Sequence, residues 1–180
     1  VDQVKAMNSY NKRHKRWQDR IPSQTRYLSH LVDTQLVPYF ESIGFTQVGK
    51  EYLSVDRNDL VEAKDISLEQ TTDSILKSIY ISFDKYDSPK FQIYFNLREL
   101  PPPHDFISSE SLVKKSNQYV YFWGKPWWLP MFFWTESMSK YEINKLLLVI
   151  EQIPVFLEKG IRGKNISNKE GLRKTNISKE

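Results

Sequence analysis

The stretch "DLVEAK", Asp59 to Lys64, holds residue types that could do hydrolytic chemistry. Two carboxylates can hold Mg²⁺, and a lysine beside them can orient a water or neutralise developing charge. Side chains alternate along a strand, so Glu62 and Lys64 would share one face, as that chemistry requires. In metal-dependent nucleases built this way the first Asp stands well upstream on another strand. Here Asp59 is only three residues from Glu62, and Asp56 is little better placed. A strand edge with solvated, alternating charges accounts for the same letters, since three-residue motifs recur by chance. A nuclease centred on Asp59, Glu62 and Lys64 is therefore the last of three functional readings. His104-Asp105 has the look of a metal-binding pair, but no Asp follows position 105 to complete it. Set among three prolines, the pair reads as a turn with a capping Asp. His14 and His30 stand alone, and phosphate loops, nucleophile elbows and His-Glu-x-x-His are missing. With no cysteine, thiolate chemistry and disulfides are excluded. The expectation is a non-enzyme without metal or cofactor.

Binding chemistry is better represented. Residues 1–27 carry seven Lys/Arg against two acids, and residues 159–180 repeat that ratio. The span between them has twelve basic and eighteen acidic residues, so the basicity lies at the ends of a mildly acidic body. Lys12, Arg13, Lys15 and Arg16, next to Trp17, could contact phosphates through counterion release, and the basic tail could assist. Tyr80 and Tyr94 would offer faces on which bases stack. An acidic body opposes a polyanion, and basic termini are most often simply solvated. Nucleic-acid binding is the second reading.

The leading reading comes from "YVYFWGKPWWLPMFFWT", Tyr119 to Thr135. It packs nine aromatic rings into seventeen positions and holds four of the five tryptophans. Such residues dominate interface energetics because each buries a large area at low entropic cost. Pro126 and Pro130 preclude a regular helix, and no basic face accompanies the rings, so an amphipathic membrane helix is not expected. Most of the stretch should be core, but nine rings exceed what one segment hides. Trp127 or Trp128 should stay partly exposed. A contact surface built on Trp123, Trp127, Trp128 and Trp134 would take a protein partner or a second copy.

The elements that must position these residues follow from periodicity. Asp2 to Arg20 reads as a polar helix with Val4, Met7 and Trp17 on one face. Ser23 can cap a second helix that buries Tyr27, Leu28, Leu31, Val32 and Leu36. Pro38 predicts a kink, and Gly44 a stop. The period then changes to two: Phe45 to Val48, Glu51 to Val55 and Leu60 to Ala63 read as short strands. Ile75 to Phe83 and Phe91 to Arg98 form a hairpin with one buried face. "PPPHDF" ends it, 107–117 reads as loop or short helix, and Gln118 to Trp123 as a further strand. Ser139 and Glu142 look like a capping box for a last helix along Ile143, Leu146, Leu147, Ile150 and Ile153, kinked at Pro154 and stopped by Gly160.

This layout, with "FESIGF", Tyr52 and Arg57 around a short strand, and "IYISFDKY…FQIYFNLREL", resembles a family of small bacterial domains of unknown function. The matching residues are Gly44, Phe45, Tyr52, Arg57, Phe91, Ile93, Asn96 and Leu97; Arg98 stands where a small residue is usual. The resemblance implies a cytoplasmic bacterial accessory protein of the immunity or defence-associated kind, with no catalytic residues to transfer.

The fold class expected is α+β: N-terminal helices, one antiparallel sheet covered on one face, a long C-terminal helix and a disordered basic tail. The divisions are a basic helical extension (1–22), one domain (23–160) and a polar tail (161–180). No run approaches the roughly 20 apolar residues of a spanning helix, and no secretory leader is visible. The sequons at Asn165 and Asn176 are read as chance.

Overall fold

The computed structural model describes residues 2–48, 63–99, 109–114 and 122–167. The expected strand Glu51–Val55, residues 60–62 of the expected strand Leu60–Ala63, the His104-Asp105 pair, residues 118–121 of the expected strand Gln118–Trp123 and residues 168–180 lie outside that set, and Ala63 is in a turn. Helix α1 (Asp2–Arg20) leads, at Pro22, into a long helical stretch. That stretch is α2 (Ser23–Leu31), a π-helical turn (Val32–Leu36) and α3 (Val37–Ser42). The widened turn lies just ahead of Pro38. A proline there lacks its N–H and its ring crowds the carbonyl four residues back, so one wider turn relieves both without breaking the helix. Ser23 does not cap α2. The N-cap is Pro22, and the Ser23 hydroxyl turns to Gln24 instead. Gly44, at φ +93, ends the stretch.

Among the described residues every strand pairing is antiparallel. The strands are β1 (Thr46–Val48), β2 (Asp65–Thr72), β3 (Ile75–Phe83), β4 (Lys90–Glu99), β5 (Glu110–Ser111) and β6 (Trp123–Gly124). They run β1-β2-β3-β4-β5, with β6 also on β4. Register builds the core in rows: Ile66, Ile81 and Ile93 align across three strands, as do Leu68, Ile79 and Phe95. These rows and Leu28, Val32 and Leu36 of the helices belong to one buried cluster. The molecule is thus α+β, as expected. The strand β2 was not foreseen, although Ile66 and Leu68 alternate with Asp65, Ser67 and Glu69. Residues 110–111, expected in a loop or helix, are strand.

Two further corrections concern the C-terminal part. Helix α4 (Glu136–Leu147) begins earlier than the capping-box reading required: Thr135 is the N-cap and its hydroxyl accepts from the Met138 N–H at 3.3 Å. Ser139 is instead buried within the helix, where it accepts a hydrogen bond from Trp134. Pro154 lies in the first turn of α5 (Gln152–Lys159), where a missing N–H costs nothing, and the chain breaks ahead of it at Leu148–Glu151. Gly160, left-handed at φ +66, closes α5.

The first part of the tail is ordered. Ile166 bridges Leu112, Arg162 forks onto Glu110, and Asn165, Ile166 and Ser167 are buried. The Asn165 amide donates to the carbonyls of Val113 and Lys114, so this sequon is not presented to solvent. Helix α1 likewise joins the body: its Tyr10 and Trp17 are buried, as is Ile21 just after it, whereas Val4 is exposed.

Candidate functional site

The aromatic stretch divides its tryptophans into two kinds. Trp123 is 3 % exposed and donates its indole N–H to the Leu112 carbonyl at 3.0 Å. Trp134 is 5 % exposed and donates to Ser139 Oγ at 2.7 Å. These two are anchors at the ends of a loop, and the expectation that they form part of a contact surface is corrected: a ring sealed in the core cannot meet a partner. Between them Trp127 is 89 % and Trp128 66 % exposed, and Phe132 and Phe133 are exposed as well.

The loop is built, rather than merely left over. Gly124 sits at φ +106, and a Cβ there would overlap the Pro89 carbonyl oxygen, so only glycine lets β6 lie against the β3–β4 turn. The Lys125 N–H then bonds the Pro89 carbonyl at 2.9 Å. The Lys125 ammonium turns inward and donates to the carbonyls of Pro126 (3.0 Å) and Leu129 (2.6 Å), closing the turn that carries both exposed tryptophans. Its burial, with Lys90 near, lowers its pKa from the ordinary lysine value. Pro130 starts a 3₁₀ turn, Met131–Phe133, in which the rings of Phe132 and Phe133 lie 4.2 Å apart. Each ring thus has a backbone reason for its position.

A second cluster, unforeseen in the sequence, lies between α1 and α2. His14 donates through Nδ1 to the Ala63 carbonyl, and its Nε2 faces Gln18 and Asp33. The Gln18 amide donates to Asp33 Oδ2 at 2.7 Å and to Ser29 Oγ at 3.0 Å. Burial opposes protonation of His14, but the Asp33 hydrogen bond and charge and the Ala63 carbonyl outweigh it and raise its pKa above 6.5. The cluster borders a cleft of about 430 Å³ that also reaches Lys15, Arg26 and His30. The signal was present: Tyr10, His14 and Trp17 fall at helical spacing, which marks His14 as part of the buried face of α1. Its partners, on the π-helical turn and before β2, could not be read locally.

The other candidates are dispersed. On α1, Lys12, Lys15 and Arg16 are exposed and Arg13 is half-buried. Trp17, expected beside them as a stacking ring, is buried and donates to Asp87 Oδ1 at 3.0 Å. Tyr80 and Tyr94 face each other across β3 and β4 and are half-buried, so neither offers a fully open ring. Lys64 is buried with its ammonium 3.5 Å from the Asp84 carbonyl, while Asp59 and Glu62 lie outside the described residues. Among the described residues no group of three metal-ligating side chains comes together, and no helix is long and apolar enough to cross a membrane. Compared with known proteins, the chain matches no family model, and no curated relative or solved structure is found to be similar to it.

Proposed function

We propose that this chain is a non-catalytic domain that binds a protein partner through the loop between Trp123 and Trp134, with Trp127 and Trp128 as the principal contacts. One observation carries the reading: two tryptophans stand in solvent on a loop whose ends and turns are fixed by buried indoles and an inward lysine. Exposed aromatics on a pre-ordered scaffold are the pattern of interface hot spots, because docking them costs little ordering entropy. The layout it resembles suggests a bacterial accessory role of the immunity or defence-associated kind. The absence of cysteine fits a reducing, cytoplasmic setting. The test is affinity capture from a bacterial lysate with the wild type and with Trp127→Ala/Trp128→Ala. A partner held by the wild type and lost by a folded double variant supports the reading. A folded variant that keeps every partner refutes it.

Nucleic-acid binding keeps one supporting observation, the exposed Lys12, Lys15 and Arg16 on α1. Three phosphate contacts would give a salt dependence with a log–log slope of roughly −2 to −3. A flat salt titration, or no binding at low salt, removes that reading.

A further inference from the structure

We infer that the partner of this loop is a second copy of the chain, two loops meeting across a two-fold axis. The inference rests on the loop being a protein contact and adds what it meets. Charge argues first. From Pro126 to Thr135 no residue is ionisable. The Lys125 ammonium, on a half-buried side chain, donates to the carbonyls of Pro126 and Leu129. Helix α4, which starts where the loop ends, carries two Glu and two Lys. In an isologous contact each patch faces itself, so a surface of one sign repels while a neutral one does not. A polyanion or an acidic lipid surface would instead select a surplus of Lys and Arg beside the rings.

Area argues second. At the observed exposures of Trp127, Trp128, Phe132 and Phe133, the four rings present roughly 550 Å². That is at the upper end of the about 300–600 Å² of the largest apolar patch on a typical monomer. Met138 and Tyr141 on α4, and Leu148 just past its end, are also exposed, opposite the buried Ser139, Ile143 and Leu146, with the Lys145 ammonium over the Tyr141 ring. They add roughly 300 Å², which brings the apolar area near the about 800 Å² per partner of a standard interface. Pre-ordering of the loop then lowers the cost of association on both sides of the contact.

The test is sedimentation equilibrium of the full chain, with a dilution series followed by tryptophan fluorescence. The expected result is a dimer that dissociates on dilution, with the emission shifting to the red as Trp127 and Trp128 enter water. Trp127→Ala/Trp128→Ala should weaken association by about thirtyfold or more, the loss typical of a hot spot. Phe132→Ser is a second variant, and circular dichroism shows that each is folded. A chain that stays monomeric at roughly 200 μM, or a dimer indifferent to these substitutions, overturns the inference. If the monomer still captures a different protein through Trp127 and Trp128, the binding reading stands and self-association falls. If the monomer instead floats with phosphatidylcholine vesicles in a Trp127- and Trp128-dependent way, with no protein captured, both fall.

Discussion

Replacing Trp123 and Trp127 one at a time should separate two roles that one aromatic stretch combines. Trp123 is sealed beneath Leu112, its indole N–H bonded to that carbonyl. Removing the ring leaves a cavity worth roughly 3–5 kcal/mol and strands a buried acceptor at about 1–3 kcal/mol more, before relaxation recovers part of it. Against a total stability of roughly 5–15 kcal/mol, Trp123→Ala endangers folding outright. Trp123→Phe is the gentler probe: it keeps most of the ring and deletes the hydrogen bond, for an expected loss of about 1–3 kcal/mol. Trp127→Ala removes a side chain that is mostly in water and should change stability by no more than about 0.5 kcal/mol. The assay is urea unfolding followed by far-ultraviolet circular dichroism, at submicromolar protein so that self-association adds nothing to apparent stability. The reasoning fails if Trp127→Ala costs more than about 1.5 kcal/mol, or if Trp123→Phe is neutral within about 0.3 kcal/mol.

Gly124→Ala should cost more than about 1 kcal/mol, because φ +106 and the adjacent Pro89 carbonyl leave no room for a Cβ; a melting temperature unchanged from wild type contradicts this. Arg162→Ala should destabilise the fold by roughly 1–3 kcal/mol, since it leaves the carboxylate of Glu110 shielded and half-partnered, and amide exchange at Leu112 and Val113 should accelerate. The pKa of His14 is raised on folding, so the stability this adds is complete below its unfolded value near 6.5 and is lost as pH rises through the folded value. The groups facing it are Asp33, Gln18 and the Ala63 carbonyl, with Tyr10 and Trp17 against the ring. Unfolding between pH 5 and 8 should therefore show wild type losing stability with rising pH across that window relative to His14→Gln; parallel profiles exclude the linkage.

Most of the hairpin β3–β4 was legible because alternation is local: Ile79, Ile81, Ile93 and Phe95 state which face is buried before any partner is known, although Ile75, read on that face, is exposed and Leu76 and Ser78 are buried. The helical stop at Gly44 and the disturbance at Pro38 were legible for the same reason, since each constrains its own backbone. Beyond that range the readings slipped. Ser139-x-x-Glu142 has the letters of a capping box, yet Thr135 caps the helix, and the Ser139 hydroxyl is used by an indole five residues earlier. Polar Arg162-Gly-Lys-Asn-Ile-Ser167 reads as solvated tail, yet it closes against β5 because Glu110, over fifty residues away in sequence, supplies its counter-charge.

What the sequence alone determined is the class of object: an α+β chain whose periodic segments name their own buried faces, with no cysteine and an excess of tryptophan in one short stretch. What only the tertiary structure decided is the fate of identical residues. Four tryptophans within twelve positions have the same composition signal, but Trp123 and Trp134 meet a carbonyl and a hydroxyl in the core, while Trp127 and Trp128 are held outward by the turn that Lys125 closes. Composition sets how much apolar surface exists. Which rings are buried depends on neighbours that the chain brings together only when folded.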